Sequence, residues 1–144
     1  MRNVCNLHDC LEAYTAGLFF KSKTTMYMDL NLAIALHNEW KTLLLAAIIN
    51  NEILDTATIA KDNCCEFGIW LHGEGQEKFG TLKSFDGCVT KHAKFHVEAS
   101  KVAAAINTQK YPDAQLMLKS GTAYSAASSA VQVAILNLKA EAGI

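Results

Sequence analysis

Three histidines stand at positions where the pattern asks for an apolar side chain. His37 interrupts a stripe of Leu30, Ala33, Ile34, Trp40, Leu44 and Ile48 at three- and four-residue spacing. His92 and His96 interrupt a second stripe of Phe85, Val89, Ala99, Ala103 and Ile106. A buried imidazole without a partner costs on the order of 1–3 kcal/mol, so three such exceptions pointing into one core are not independent. His92 and His96 are four residues apart, which on a helix puts both rings on one face about 6 Å apart, within reach of one metal ion. The run Cys64-Cys65-Glu66-Phe67-Gly68-Ile69-Trp70 adds a source of thiolate. Three imidazoles and one thiolate make a closed tetrahedral set of borderline-soft ligands, which suits zinc. No carboxylate is needed, and that disfavours calcium, magnesium and manganese.

These side chains need helices to hold them. The first stripe predicts a long helix over about 26–50, with Asp29 at its N-cap or in its first turn. A second apolar line on it, Leu32, Leu36, Leu43 and Ala47, makes it apolar around much of its circumference, so it is central to the domain or also meets a partner chain. A shorter helix is expected over 56–72, closed by Gly73-Glu74-Gly75. Gly68 inside it costs about 1 kcal/mol relative to Ala and implies a close approach by a neighbouring element. The second stripe predicts a long helix over about 84–108, broken by Tyr111-Pro112. A short helix over 112–119 and a last helix over 122–141 complete an all-α reading, an antiparallel four-helix bundle with short additional helices. Residues 26–144 form the bundle in this reading, and residues 1–25 an extension in which Leu11 to Phe20 could be helical.

Composition narrows the function. The 144 residues carry 13 basic and 14 acidic side chains, which gives a net charge of −1 and no face suited to nucleic acid. Gly73-Glu74-Gly75 lacks the Lys-Ser/Thr of a phosphate loop. The N-terminus has no apolar leader, and the run Leu43 to Ile49 is far short of the ~20 residues that span a bilayer, so a cytoplasmic protein is expected. Five cysteines cannot all pair within one chain, and in a reducing compartment they are packed, reactive or metal-bound.

At these residues the chain resembles the chemoreceptor zinc-binding domain family over about residues 29–138. The elements are His37 with Trp40 close behind it, Cys65-Glu66-Phe67-Gly68-Ile69-Trp70, and His92-Ala93-Lys94-Phe95-His96, followed by a closing helix with Tyr124, Ala127-Ser128, Val131 and Leu138. The resemblance implies one zinc ion held by His37, Cys65, His92 and His96, since Cys65 rather than Cys64 has the spacing to Gly68 and Trp70. It also implies a cytoplasmic regulatory module, often dimeric, found on chemoreceptors and diguanylate cyclases, that senses zinc or an oxidant such as hypochlorous acid. Cys64 and residues 1–25 have no counterpart in that pattern.

Two other functions fit parts of the pattern. A metalloenzyme would use a three-His site with an open fourth position. However, Ala93 stands where a His-Glu-x-x-His motif has its Glu, and no Glu-x-x-His pair exists for a di-iron bundle; Glu39 and Glu98 are the available bases, Glu98 off the apolar seam. A metal-free interaction bundle would treat the histidines and cysteines as ordinary core. Trp40 and Trp70 read as packing, His72 as exposed, and Glu39 or Asp86 as carboxylates that could orient an imidazole. Cys5, His8 and Cys10 leave a second metal site in the N-terminal extension open.

Overall fold

The computed structural model describes residues 28–144. The expected helix over Leu11 to Phe20 and the group Cys5, His8 and Cys10 lie outside them. Seven helices follow one another among the described residues: α1 (Leu30–Asn50), α2 (Thr56–Ile59), α3 (Glu66–His72), α4 (Glu74–Phe79), α5 (Lys83–Asn107), α6 (Tyr111–Met117) and α7 (Ala123–Ala142). The architecture is all-α.

Helix α1 starts where its cap allows. The Asp29 carboxylate accepts from the N–H groups of Asn31 and Leu32 at 2.9 and 3.1 Å, satisfying two of the donors a helix start leaves free. It ends at Asn51, which takes the left-handed conformation at φ 53°. The buried face is Leu30, Ala33, His37, Trp40, Leu44, Ala47 and Ile48, most of the expected stripe with His37 included; Ile34 is half-buried and Ala47 comes from the second line. Among the described residues α1 is the one helix long and apolar enough to cross a membrane. A third of that apolar stretch is buried in the fold, where α1 meets α7 and α5.

Helix α5 lacks a side-chain cap of its own. Glu141, near the end of α7, accepts from the Ser84 N–H at 2.8 Å and the Ser84 hydroxyl at 2.6 Å, capping α5 from another helix. That bond sets α5 and α7 antiparallel, and they form the most extensive pair in the fold. Asn31 with Lys139 and Asn38 with Gln132 set α1 antiparallel to α7 in the same way. The Asn107 side chain bonds both the N–H and the C=O of Leu54 at 2.8 Å, tying the end of α5 to the chain just beyond α1.

The remaining segment departs from the expected single helix over 56–72. It is two helices, α2 and α3, separated by residues 60–65; the second ends at Gly73 as expected, and a further short helix, α4, follows. Asp55 caps α2 through the Thr58 N–H and hydroxyl, and α2 stops after four residues. Cys65 then starts α3 as its N-cap. Three long helices thus pack against one another, and the short helices α2, α3 and α6 lie against α5.

Candidate metal centre

The break in the short segment positions the thiol. Cys65 is extended, at φ −89° and ψ 158°, and its Sγ accepts from the Gly68 N–H at 3.2 Å. This is the cap geometry that Ser or Asp usually supplies. It aims the sulfur at α5, where His92 Nε2 lies 3.2 Å away. His96 Nε2 is 3.1 Å from His92 Nε2, as two histidines on one helix face should be. His37 enters from α1, with its ring 5.1 Å from His92 and 6.2 Å from His96, centroid to centroid. One ligand atom from each of His37, Cys65, His92 and His96 falls within 4.8 Å of all the others, and all four residues are buried. Four donors around tetrahedral zinc sit roughly 3.3–3.8 Å apart, given bonds of about 2.0–2.3 Å. The cluster is therefore already close to that size.

The hydrogen bonds decide which nitrogens face the centre. A carbonyl oxygen can only accept, so each ring nitrogen beside one must carry the proton. His37 Nδ1 donates to the Ala33 carbonyl at 2.6 Å, and His96 Nδ1 donates to the Ile59 carbonyl at 2.9 Å. Both Nε2 atoms are left as lone pairs. That of His37 is buried with no hydrogen-bond partner in the protein. An acceptor orphaned at the centre of three other donors is satisfied by a cation, and the donor set fits zinc. The partners that orient His37 and His96 are backbone carbonyls; Glu39 and Asp86, the expected carboxylates, are exposed. His92 Nδ1 has no partner of either kind.

Burial shapes the protonation of the set. Removal from water holds His37 down to about 4; the backbone bond to Ala33 opposes the shift and Coulombic repulsion from His96 adds to it. Burial with the neighbouring imidazoles holds His92 down to about 2, and burial lowers His96 against its bond to the Ile59 carbonyl. The imidazoles are neutral and ready to ligate at neutral pH. Burial pushes the Cys65 thiol up to about 11, so a cation is what would make it a thiolate.

Aromatic rings wall the cluster. Phe67 meets His37 and His92 edge-on at 5.7 and 5.1 Å, Phe95 meets His37 at 5.2 Å, and Trp40 meets His96 at 5.6 Å. Trp40 and Trp70 are both core, as expected. A small cleft of about 20 Å³ between α1 and the start of α3 is lined by His37 and Cys65. Gly68 has the reason the sequence implied, in a more local form. A Cβ there would lie 1.7 Å from the Asp62 carbonyl oxygen and 2.9 Å from His92 Cε1. The close neighbours are the chain just before Cys65 and a ring of the cluster.

The other polar residues stand apart. His72 is exposed and pairs with Asp62 at 2.7 Å. Glu98 lies off the seam, as expected, but is buried: it is 3% exposed, and its carboxylate binds Lys94 and Lys101 at 2.6 and 2.9 Å. Nearly fully buried but held by two lysines, it is a structural ion pair outside the four-residue cluster. Sequence reasoning missed the Ile59 carbonyl, because any residue type can supply one.

Residues 37–103 match the family model of the chemoreceptor zinc-binding domain. The match begins at His37 and contains all four clustered residues. No curated protein and no solved structure matches the chain.

Proposed function

We propose that this chain is a zinc-binding regulatory domain, and that His37, Cys65, His92 and His96 hold one zinc ion. The observation that carries the reading is the closure of four buried donors from three parts of the chain around one point, with the His37 lone pair otherwise unpartnered. The family match supports zinc as the ion. A four-ligand site leaves no position for substrate or activated water, so the role is regulation rather than catalysis. The ion joins α1, the start of α3 and α5. Its loss, or oxidation of the Cys65 thiolate by an oxidant such as hypochlorous acid, frees the short segment and alters the surface around it. The receiving partner is a cytoplasmic signalling protein of the chemoreceptor or diguanylate cyclase kind. The exposed Leu32 and the part-buried Leu36 and Leu43 on the outer side of α1 are the surface for a homodimer.

The test is elemental analysis of protein purified under reducing conditions, with Cys65→Ala and His92→Ala beside it. About one zinc per chain, and much weaker retention in both variants, is the expected result. No zinc after reconstitution would overturn the site. Full retention in Cys65→Ala would move the thiolate to Cys64 or leave a three-histidine site with an open position.

A further inference from the structure

Cys64 is adjacent to the buried Cys65, half-exposed, and has no role in the four-donor cluster. Its sulfur makes one weak contact, 3.7 Å from the Asn63 side-chain oxygen. Cys65, by contrast, is 5% exposed, with its sulfur turned to the Gly68 N–H and His92. An oxidant arriving from solvent therefore meets Cys64 first. The pair lies outside any helix, between a turn at Asp62 and Asn63 and the start of α3. Closing a ring between adjacent cysteines needs a rearranged turn, and here that withdraws the Cys65 sulfur from the Gly68 N–H and so removes the N-cap of α3 together with the metal ligand.

We propose that Cys64 is a redox-active thiol that closes a disulfide with Cys65 and thereby removes the thiolate from the metal. The inference rests on the reading that Cys65 is a metal ligand. The oxidant is a two-electron one of the peroxide class. The Cys64 thiol attacks the peroxide, the O–O bond breaks, and Cys64 becomes a sulfenic acid with release of one water. The Cys65 sulfur leaves the metal and attacks the Cys64 sulfur, the S–O bond breaks, and the oxygen departs with protons as a second water. Both sulfurs are oxidised by one electron each, and the peroxide is reduced by two. A disulfide sulfur is a poor ligand, so three imidazoles remain and the ion is held more weakly. Reduction by a dithiol returns both thiols, which a sulfinic acid on Cys65 alone would not allow. The division of labour is physical: one cysteine is accessible and reports, while the other is shielded and ligates.

The experiment treats the zinc-loaded chain with hydrogen peroxide, follows zinc release with a chromophoric chelator, and then digests with trypsin. Cleavage after Lys61 and Lys78 gives one peptide, Asp62–Lys78, that holds Cys64 and Cys65, no other cysteine and no methionine. The expected result is a peptide lighter by two hydrogens that appears in step with the released zinc, with both reversed by a dithiol. Because the second thiol attacks from within the same chain, release in Cys64→Ser should be slower by at least about tenfold. Equal release rates in wild type and Cys64→Ser would overturn the proposal. So would a peptide heavier by oxygen on Cys65 with no disulfide form. If the purified chain takes up no zinc, the metal-ligand reading fails, and the peptide mass still reports whether the two cysteines pair.

Discussion

Helix α5 and the segment from Leu54 to Gly73 each supply part of the same cluster, and they do so by opposite means. Helix α5 is 25 residues long, buried along Phe85, Cys88, Phe95, Ala99, Val102 and Ile106, and capped by another helix through Glu141. Its two histidines are set by helix geometry and need nothing else to be four residues apart on one face. The segment with Cys65 is two helices of four and seven residues with an irregular stretch between them. Helices that short do not persist by themselves, so the position of the thiol depends on what it binds. The lesson is that one half of the site is preorganised by packing, and in the proposed reading the other half is the one a bound ion would hold in place. Metal occupancy can then change the conformation of one without unfolding the other, which is what a reporting device requires.

The strongest attempt to break that contrast is removal of the metal. A chelator should raise amide hydrogen exchange across residues 55–73 while the middle of α5 and of α7 stays protected. Overall stability should fall by several kcal/mol, of the order of 5 or more, since the binding free energy of a structural zinc ion is coupled to folding. Uniform loss of protection across all helices would show that the two halves form one cooperative unit and would sink the contrast.

A smaller effect comes from Gly68→Ala. On propensity alone Ala would stabilise α3 by about 1 kcal/mol. Here its Cβ meets the Asp62 carbonyl, which is backbone and cannot swing aside, and the His92 ring. The net change should be a loss of about 3 kcal/mol with weakened zinc retention, because overpacking of a tight site costs 1–3 kcal/mol or more. Thermal melts of the loaded and stripped variant check it; an unchanged or higher Tm would place Gly68 outside the site's constraints.

Acid should act on the metal-free protein in a defined direction. His37 is held from 6.5 down to about 4 in the fold by burial. A lowered histidine means the unfolded chain takes up the proton first. Its contribution to stability is therefore complete above pH 6.5 and is lost as pH falls toward 4. The slope approaches 1.4 kcal/mol per pH unit from this residue, to which His92 and His96 add in the same direction. Urea midpoints of the stripped protein from pH 7.5 to 4, with His37→Phe as reference, should show the slope fall in the variant. An identical slope would mean that His37 titrates as it does in water.

The contrast also explains what could be read from the residues. The three histidines were legible because each breaks an apolar period, and a period is carried by long helices such as α1 and α5. Cys65 was legible only as one of two cysteines until its spacing to Gly68 and Trp70 was set beside a family pattern. The split of 56–72 into α2 and α3 left little trace. Asp55 and the pair Asp62-Asn63 are cap and loop residues, but the apolar positions Ile59, Phe67, Trp70 and Leu71 still suit one continuous helix. The orienting groups left none, because Ala33 and Ile59 act through carbonyls. The burial of Glu98 was not legible for a related reason. Its burial depends on two lysines that reach it from one turn on either side, and apolar spacing does not register such a bridge.

The smallest effect sharpens the contrast most directly, because it compares two caps of the same chemistry. Asp29 caps α1 and Asp55 caps α2, each through a carboxylate on a backbone N–H. Asp29→Ala removes the cap of a 21-residue helix that packing already holds, so it should cost about 1 kcal/mol of stability and leave zinc affinity unchanged. Asp55→Ala frees a four-residue helix whose last carbonyl, at Ile59, receives the His96 N–H. It should weaken zinc binding by up to about tenfold, as loss of an orienting partner does. Competition titrations with a zinc chelator on both variants decide between them. Equal affinities would mean that the Ile59 carbonyl is held by the packing of Ile59 itself, fully buried against α5, and that the cap contributes nothing to the orientation of His96.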